Sequence, residues 1–148
     1  MYIVPEKLIS ELISLKTSYS AVEDVFSAMA KKKAYNFPVI RESIGYSNAL
    51  YGFKSGFDKE GLSLGLKAGG YWPENESMGI PNHQSTIFLF DANTGKISAI
   101  VGGNLLTAFR TAAASSISIN HLARQDSKVL GMIGAGYQSA FQMQAAAR

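Results

Sequence analysis

The chain contains no cysteine among its 148 residues, and it has only two histidines and one tryptophan. The lack of cysteine excludes disulfides, thiolate metal sites and a cysteine nucleophile, and it fits a reducing compartment. No stretch approaches the run of about 18 apolar residues that a membrane span requires, so we expect no membrane partner. The first residues lack the basic and then apolar pattern of a signal peptide, and we expect a cytoplasmic protein.

The chain also has little excess charge. Its formal net charge is +3, its charged residues make up 17% and its hydrophobic residues 47%, which is typical of a globular protein. Basic residues are not interleaved with aromatic ones, so we expect no nucleic-acid partner.

Hydrophobic periodicity divides the chain into three parts. Residues 5–33 are predicted to be helical, with Ser20 as a helix cap and Glu23 completing a capping box. Turn residues separate five predicted strands, and Pro and Gly predict a loop over 71–83. The predicted strands are Phe37–Arg41, Asn48–Phe57, Leu62–Gly70, Gln84–Asp91 and Ile97–Val101.

The last third returns to helix and then changes to strand–helix alternation. We predict a helix over 104–123, a strand over 128–133 and a helix over 138–148. The fold class is therefore an α+β N-terminal domain with an antiparallel sheet, followed by the start of an α/β Rossmann-type dinucleotide-binding domain. We place the first domain at 1–125 and the truncated second domain at 126–148.

A glycine turn supports this second domain. The apolar stretch Val129–Ile133 runs into Gly134-Ala135-Gly136-Tyr137-Gln138-Ser139, which reads Gly-x-Gly-x-x-small. Glycines at a strand-to-helix turn let backbone N–H groups approach a pyrophosphate. The acidic residue that binds the adenine ribose should follow about twenty residues on, beyond Arg148.

Lys67 stands on a strand with two different faces. The leucines of Leu62–Gly69 share one parity, whereas Ser63, Gly65, Lys67 and Gly69 share the other. Either Lys67 is a surface lysine on a glycine-rich strand, or it faces a cavity that the small residues leave open for a ligand.

Two arginines have similarly open interpretations. Arg41 ends a predicted strand, where an arginine usually lies at the surface. Arg110 lies among apolar residues of an alanine-rich helix, so it needs either an acidic partner or a cavity. Thr111 follows it and can offer a hydroxyl to a phosphate. His83 has no second histidine nearby, so we expect a structural or substrate-binding role and no metal site.

These residues and three linked stretches resemble the ornithine cyclodeaminase/mu-crystallin family. The stretches are Leu106–Ser115, Leu122–Arg124 and Ile133–Gln138, and the resemblance extends over nearly the whole chain.

The resemblance implies roles for eight residues. Three cations, Arg41, Lys67 and Arg110, match the positions that hold a substrate α-carboxylate, and Asn82 matches a position near the substrate. Four further residues match positions that contact NAD(H) or NADP(H): Thr111, Gly134, Gly136 and Gln138. The family's catalytic aspartate would lie beyond Arg148, so no catalytic base is expected in these residues.

The resemblance implies an enzyme that interconverts an amino acid and its imine at Cα, with ornithine cyclodeamination to proline and ammonia as the lead. The alternatives are a cyclic ketimine reductase, an alanine dehydrogenase-like oxidoreductase, or a crystallin-like binding protein without turnover. A homodimer formed through the first domain is also implied. The strand Gln84–Asp91 is apolar on both faces, so the sheet needs a packing partner on its second face as well. We expect residues 1–148 alone to show no turnover.

Overall fold

A computed structural model describes residues 1–147 and contains a seven-stranded sheet with four α-helices. The strands are β1 (Tyr2–Val4), β2 (Ala34–Asn36), β3 (Ile40–Ser43), β4 (Leu50–Asp58), β5 (Ser63–Tyr71), β6 (His83–Asp91) and β7 (Ile97–Gly102). The helices are α1 (Glu6–Leu12), α2 (Leu15–Ala30), α3 (Asn104–Leu122) and α4 (Tyr137–Ala146). The predicted α+β class with a mainly antiparallel sheet is confirmed.

The sheet runs in the order β1-β7-β6-β5-β4-β2, and β3 pairs with the other part of β4. The long strands β4, β5 and β6 pair antiparallel along their whole lengths. Strand β1, which pairs parallel to β7, was not predicted from the sequence. Three residues are too few to produce a recognisable alternation of polar and apolar side chains.

The two faces of the sheet differ in what covers them. Directly opposed residues of an antiparallel sheet point to the same side. Lys67 therefore shares a face with Lys54 of β4 and Ile87 of β6, and α3 lies against this face. The opposite face carries a large apolar set whose members include partly exposed side chains: Tyr35, Tyr51, Phe53, Leu66, Phe88 and Ile100.

The alanines of α3 form the centre of the helical layer. Ala108, Ala112 and Ala113 are buried, and α3 contacts α1, α2 and α4. Small side chains allow the helix backbones to approach closely. Glu6 of α1 accepts hydrogen bonds from the backbone N–H groups of Asn104 and Leu105, so it caps α3 from the other end of the chain.

The predicted cap at Ser20 is wrong. Ser20 lies inside α2, and the capping box is formed by Ser14 and Thr17 instead. Ile13 is extended, with φ −125° and ψ 137°, and it divides the predicted helix over 5–33 into α1 and α2. Ser14 is the first residue after this break that has a side chain able to cap the new helix.

The predicted strand Phe37–Arg41 is shifted in the structure. Residues 37–39 separate β2 from β3, and Pro38 has no N–H group to donate to a ladder. The predicted loop over 71–83 contains a short 3₁₀ helix at Pro73–Met78. The φ angle of proline is fixed at a value that is compatible with the first position of a helix.

The predicted strand over 128–133 does not form. These residues are irregular, and the side chains of Val129 and Ile133 are exposed. A strand of a parallel sheet is buried on both faces and needs neighbouring strands, which residues 1–147 do not supply at this point. The helix after the glycine turn forms as α4, although Arg148 of the predicted helix lies outside the described residues.

No helix among the described residues has both the length and the hydropathy to cross a membrane.

Candidate functional site

A cavity of about 280 Å³ opens where β3, β4 and β5 meet α3. The lining combines cationic, aromatic and glycine residues. The lining residues are Val39, Ile40, Arg41, Leu50, Tyr51, Gly52, Phe53, Lys54, Lys67, Gly69, Gly70, Tyr71, His83, Thr107 and Arg110.

Arg41, Lys67 and Arg110 come from three separate elements and line this one cavity. Arg41 pairs with Gly52 in the β3–β4 ladder, on the same face as Lys67. Arg110 reaches the cavity from α3. No aspartate or glutamate is found among the described lining residues, and no ion pair within 1–147 involves these three cations. Their charge is therefore available to an anionic ligand.

Lys67 lies at the floor of the cavity and is held by α3. Its ammonium donates a hydrogen bond of 3.0 Å to the hydroxyl of Thr107, which in turn donates to the carbonyl oxygen of Gly103. Burial, together with the positive charges of Arg110 and Lys54, lowers the pKa of Lys67 from 10.5 to about 8. A bound anion would offset the last two of these causes.

The glycines beside Lys67 allow the strands to approach closely. A Cβ atom on Gly69 would lie 2.1 Å from the carbonyl oxygen of Gln84, and its φ of +157° is unfavourable for other residues. A Cβ on Gly70 would lie 1.8 Å from the carbonyl oxygen of Leu50. Larger residues at these positions would displace the backbone that forms the cavity.

His83 lines the same cavity as a largely neutral group. Burial is the main cause that lowers the pKa of His83, and Lys67 and Arg110 add to it, whereas a hydrogen bond with Asn104 and the charge of Glu6 act in the other direction. Neutral imidazole can donate or accept a hydrogen bond. The described residues contain no group of three or more His, Cys, Asp or Glu that could hold a metal ion.

Sequence reasoning missed two residues that line the cavity, Lys54 and Thr107. It also missed Asn104, which is not a lining residue and whose side chain accepts a hydrogen bond from the backbone N–H of Ser85 on β6. The alternation of β4 placed Lys54 on one face, but only the register with β5 sets it opposite Lys67.

Asn82 does not line the cavity. Its side chain accepts a hydrogen bond from the backbone N–H of Glu76 and lies 3.3 Å from the Tyr71 hydroxyl, to which it donates. Tyr71 itself lines the cavity, so Asn82 is one residue removed from it. A direct contact of Asn82 with substrate stays a prediction.

The residues predicted to contact a cofactor lie along α3 and at the start of α4. Thr111 donates its hydroxyl to the carbonyl oxygen of Thr107, and Gln138 donates to that of Ala108. Gly134 has a φ of +98°, and Gly136 precedes α4 without a side-chain cap. A Cβ on either glycine would meet no atom within 4 Å, so there is open space beside this turn.

Comparison with known proteins gives one family. Residues 6–148 match the model of the ornithine cyclodeaminase/mu-crystallin family. The chain is 63% identical over 147 residues to the iminosuccinate reductase of Paracoccus denitrificans, a match that covers 99% of the chain and 46% of the relative. It is 31% identical to an alanine dehydrogenase of Archaeoglobus fulgidus, covering 99% of the chain and 44% of that protein.

Solved structures agree with these matches. The structure of the P. denitrificans iminosuccinate reductase in complex with NAD+ superposes with a TM-score of 0.92, over 99% of this chain and 46% of the other. A Thermococcus litoralis Δ1-pyrroline-2-carboxylate reductase in complex with NADH and L-proline gives 0.94 at 31% identity, with coverage of 99% and 46%. The chain thus spans about half the length of the proteins it matches.

Proposed function

Since the chain belongs to the ornithine cyclodeaminase/mu-crystallin family, we propose that it forms the substrate-binding part of an NAD(H)-dependent imino-acid reductase. The observation that carries this proposal is the convergence of Arg41, Lys67 and Arg110 on one cavity without an acidic lining residue among those described. An imino acid presents a carboxylate directly beside its reacting Cα atom. Cations that hold the carboxylate therefore also fix the position of Cα.

Iminosuccinate is the lead substrate in this proposal. It is the substrate named for a relative that is 63% identical over almost the entire chain. Relatives named as a pyrroline-2-carboxylate reductase and an alanine dehydrogenase support the same class of reaction. These names favour the reductase alternative over ornithine cyclodeamination, which was the leading expectation from the sequence.

The cationic residues of the cavity and their neighbours have separate roles in the reduction. The guanidinium groups of Arg41 and Arg110 form charge-assisted hydrogen bonds with the α-carboxylate, and the ammonium of Lys67 adds a third contact. Thr107 holds Lys67 in place through its 3.0 Å hydrogen bond. Tyr71, whose side chain points to the same face of the sheet as Lys67, lines the cavity and excludes water from the substrate.

The glycine turn fits a dinucleotide. Gly134 with its positive φ, the open space beside it, and the uncapped start of α4 at Gly136 leave backbone N–H groups available to a pyrophosphate. Gln138 at the start of α4 donates to the carbonyl oxygen of Ala108 on α3, and Thr111 lies three residues further along that helix. A bound nicotinamide would supply the hydride for Cα, and a proton on the imine nitrogen completes the amino acid.

We also propose that two copies associate through the apolar face of the sheet. Tyr51 and Phe53 on this face are each 38% exposed, and Tyr35 is 41% exposed. A contiguous apolar face of this kind marks an interaction surface. One matched structure is described as an alanine dehydrogenase dimer with bound NAD. Light scattering at micromolar concentration should give the mass of two chains, and a folded monomer would contradict this assignment.

The proposed reaction can be tested in a protein that joins this chain to a complete nicotinamide-binding domain. Oxaloacetate and ammonium form iminosuccinate in solution, and we expect NADH consumption only when both are present. L-Ornithine with NAD+ is the control for cyclodeamination, because that reaction releases ammonia without net change in NADH. Ammonia release from ornithine without reduction of any imine would contradict the proposal.

A further inference from the structure

Lys54 is a fourth cation in a cavity whose other three cations suffice for one carboxylate. It lies on β4 directly opposite Lys67 of β5, so both side chains rise from the same face of the sheet. It also lines an adjoining space of about 530 Å³ that Lys67 and Arg110 share. Lys54 therefore borders both the substrate cavity and this adjoining space.

The repulsion between Lys54 and Lys67 destabilises the folded chain unless an anion lies between them. Like charges directly opposite each other on neighbouring strands are destabilising. The positive charge of Lys54 is one of the causes that lower the pKa of Lys67. No aspartate or glutamate among the described lining residues offsets either charge.

A single substrate carboxylate does not neutralise the positive charge of the cavity. It carries one negative charge, whereas the cavity has four cationic side chains and a neutral imidazole. Cβ atoms of directly opposed residues are about 5 Å apart. Two lysines at that spacing can contact the two ends of a molecule with four carbon atoms.

We infer that Lys54 binds the second, side-chain carboxylate of a dicarboxylic imino acid and thereby selects this substrate over monocarboxylic imino acids. The inference rests on the proposed reductase function and adds the residue that determines its substrate class. Arg41, Lys67 and Arg110 hold the α-carboxylate next to the reacting carbon. Lys54, whose side chain is exposed, is free to extend towards the distal carboxylate.

Three variants test this assignment in the protein with a complete nicotinamide-binding domain. Lys54→Met removes the charge and keeps most of the length, Lys54→Arg keeps the charge, and Lys96→Met removes an exposed charge at the β6–β7 turn. Each is assayed with oxaloacetate plus ammonium, which gives the dicarboxylic imine, and with pyruvate plus ammonium, which gives a monocarboxylic one.

We expect Lys54→Met to lower the ratio of kcat/KM for the dicarboxylic over the monocarboxylic imine by about tenfold or more, as for loss of a charged hydrogen bond. The change should be mainly in KM. Lys54→Arg should retain most of the preference, and Lys96→Met should leave it unchanged. An unchanged ratio in Lys54→Met, or equal losses for both imines, would overturn the inference.

Equilibrium binding separates this inference from the proposed reaction. The affinities of L-aspartate and L-alanine are measured by calorimetry for the same variants. If no imine is reduced, the reductase proposal fails. A selective loss of aspartate affinity in Lys54→Met then still supports the carboxylate contact, and equal affinity in wild type and variant refutes it.

Discussion

Replacing Arg110 with methionine should raise the pKa of the Lys67 ammonium. In the structure that pKa is lowered from 10.5 to about 8, first by burial, then by Arg110 and last by Lys54. Because Arg110 is the second of three causes, its removal should recover less than half of the interval between about 8 and 10.5. Burial and the charge of Lys54 maintain the rest of the lowering of the Lys67 pKa.

The titration can be followed directly by NMR of lysine labelled at Cε and Nζ. Lys54→Met should move the Lys67 titration in the same direction by a smaller amount, and the distant Lys96→Met should not move it. A Lys67 titration at the ordinary lysine value in the unmodified protein would refute the described cavity. An unchanged titration in Arg110→Met would refute the proximity of the two side chains.

The lowered pKa also predicts two opposite effects of pH. A carboxylate prefers the protonated lysine, so its affinity should fall as the pH rises through the pKa of about 8. The unfolded chain, with the lysine at 10.5, binds more protons than the folded chain between these two values. The contribution of Lys67 to folding stability should therefore increase with pH across this window. Ligand titrations and denaturant unfolding across the same pH range measure both effects.

Four further substitutions test the fold and the site. In the enzyme that joins this chain to a complete nicotinamide-binding domain, Arg110→Ala removes a carboxylate contact and should lower kcat/KM by a factor that corresponds to about 2–4 kcal/mol of transition-state stabilisation. NADH affinity should change less, and an unchanged kcat/KM would contradict the role of Arg110. Gly69→Ala should destabilise the fold by about 1–3 kcal/mol in denaturant unfolding, whereas Gly131→Ala, with open space around it, should not. Glu6→Ala removes the cap of α3 and should lower the free energy of unfolding by about 1 kcal/mol in denaturant unfolding. An unchanged free energy of unfolding would refute the cap. Phe88→Glu on the apolar sheet face should give a monomer in light scattering, and a retained dimer would place the interface elsewhere.

The sequence was sufficient to predict the long elements of the fold. The alternating pattern of β5, the apolar strand β6 and the alanine-rich helix α3 each extend over nine or more residues. Their predicted bounds agree with the structure within two residues. Short elements were missed or misplaced, because β1 has three residues and Ser14 competes with Ser20 as a helix cap. Local patterns of this length do not distinguish such alternatives.

The site could be predicted only in part. For both Lys67 among small residues and Arg110 among apolar residues, the sequence left a cavity as one of two interpretations. Lys54 and Thr107 became visible only with the strand register and the position of α3, both of which depend on long-range pairing. The predicted strand over 128–133 has a clear local pattern but does not form, because a buried strand of this kind requires neighbouring strands that residues 1–147 do not contain.

The transfer of deuterium from reduced cofactor to substrate tests directly whether this cavity supports reduction of an imine. The joined enzyme is incubated with NADH that carries deuterium on the transferring face of C4, together with oxaloacetate and ammonium, and the product is analysed by mass spectrometry and NMR. We expect aspartate with one deuterium at Cα, and loss of this product in Arg110→Ala. Aspartate without deuterium, or malate labelled by reduction of the keto group, would contradict reduction of an imine in this cavity.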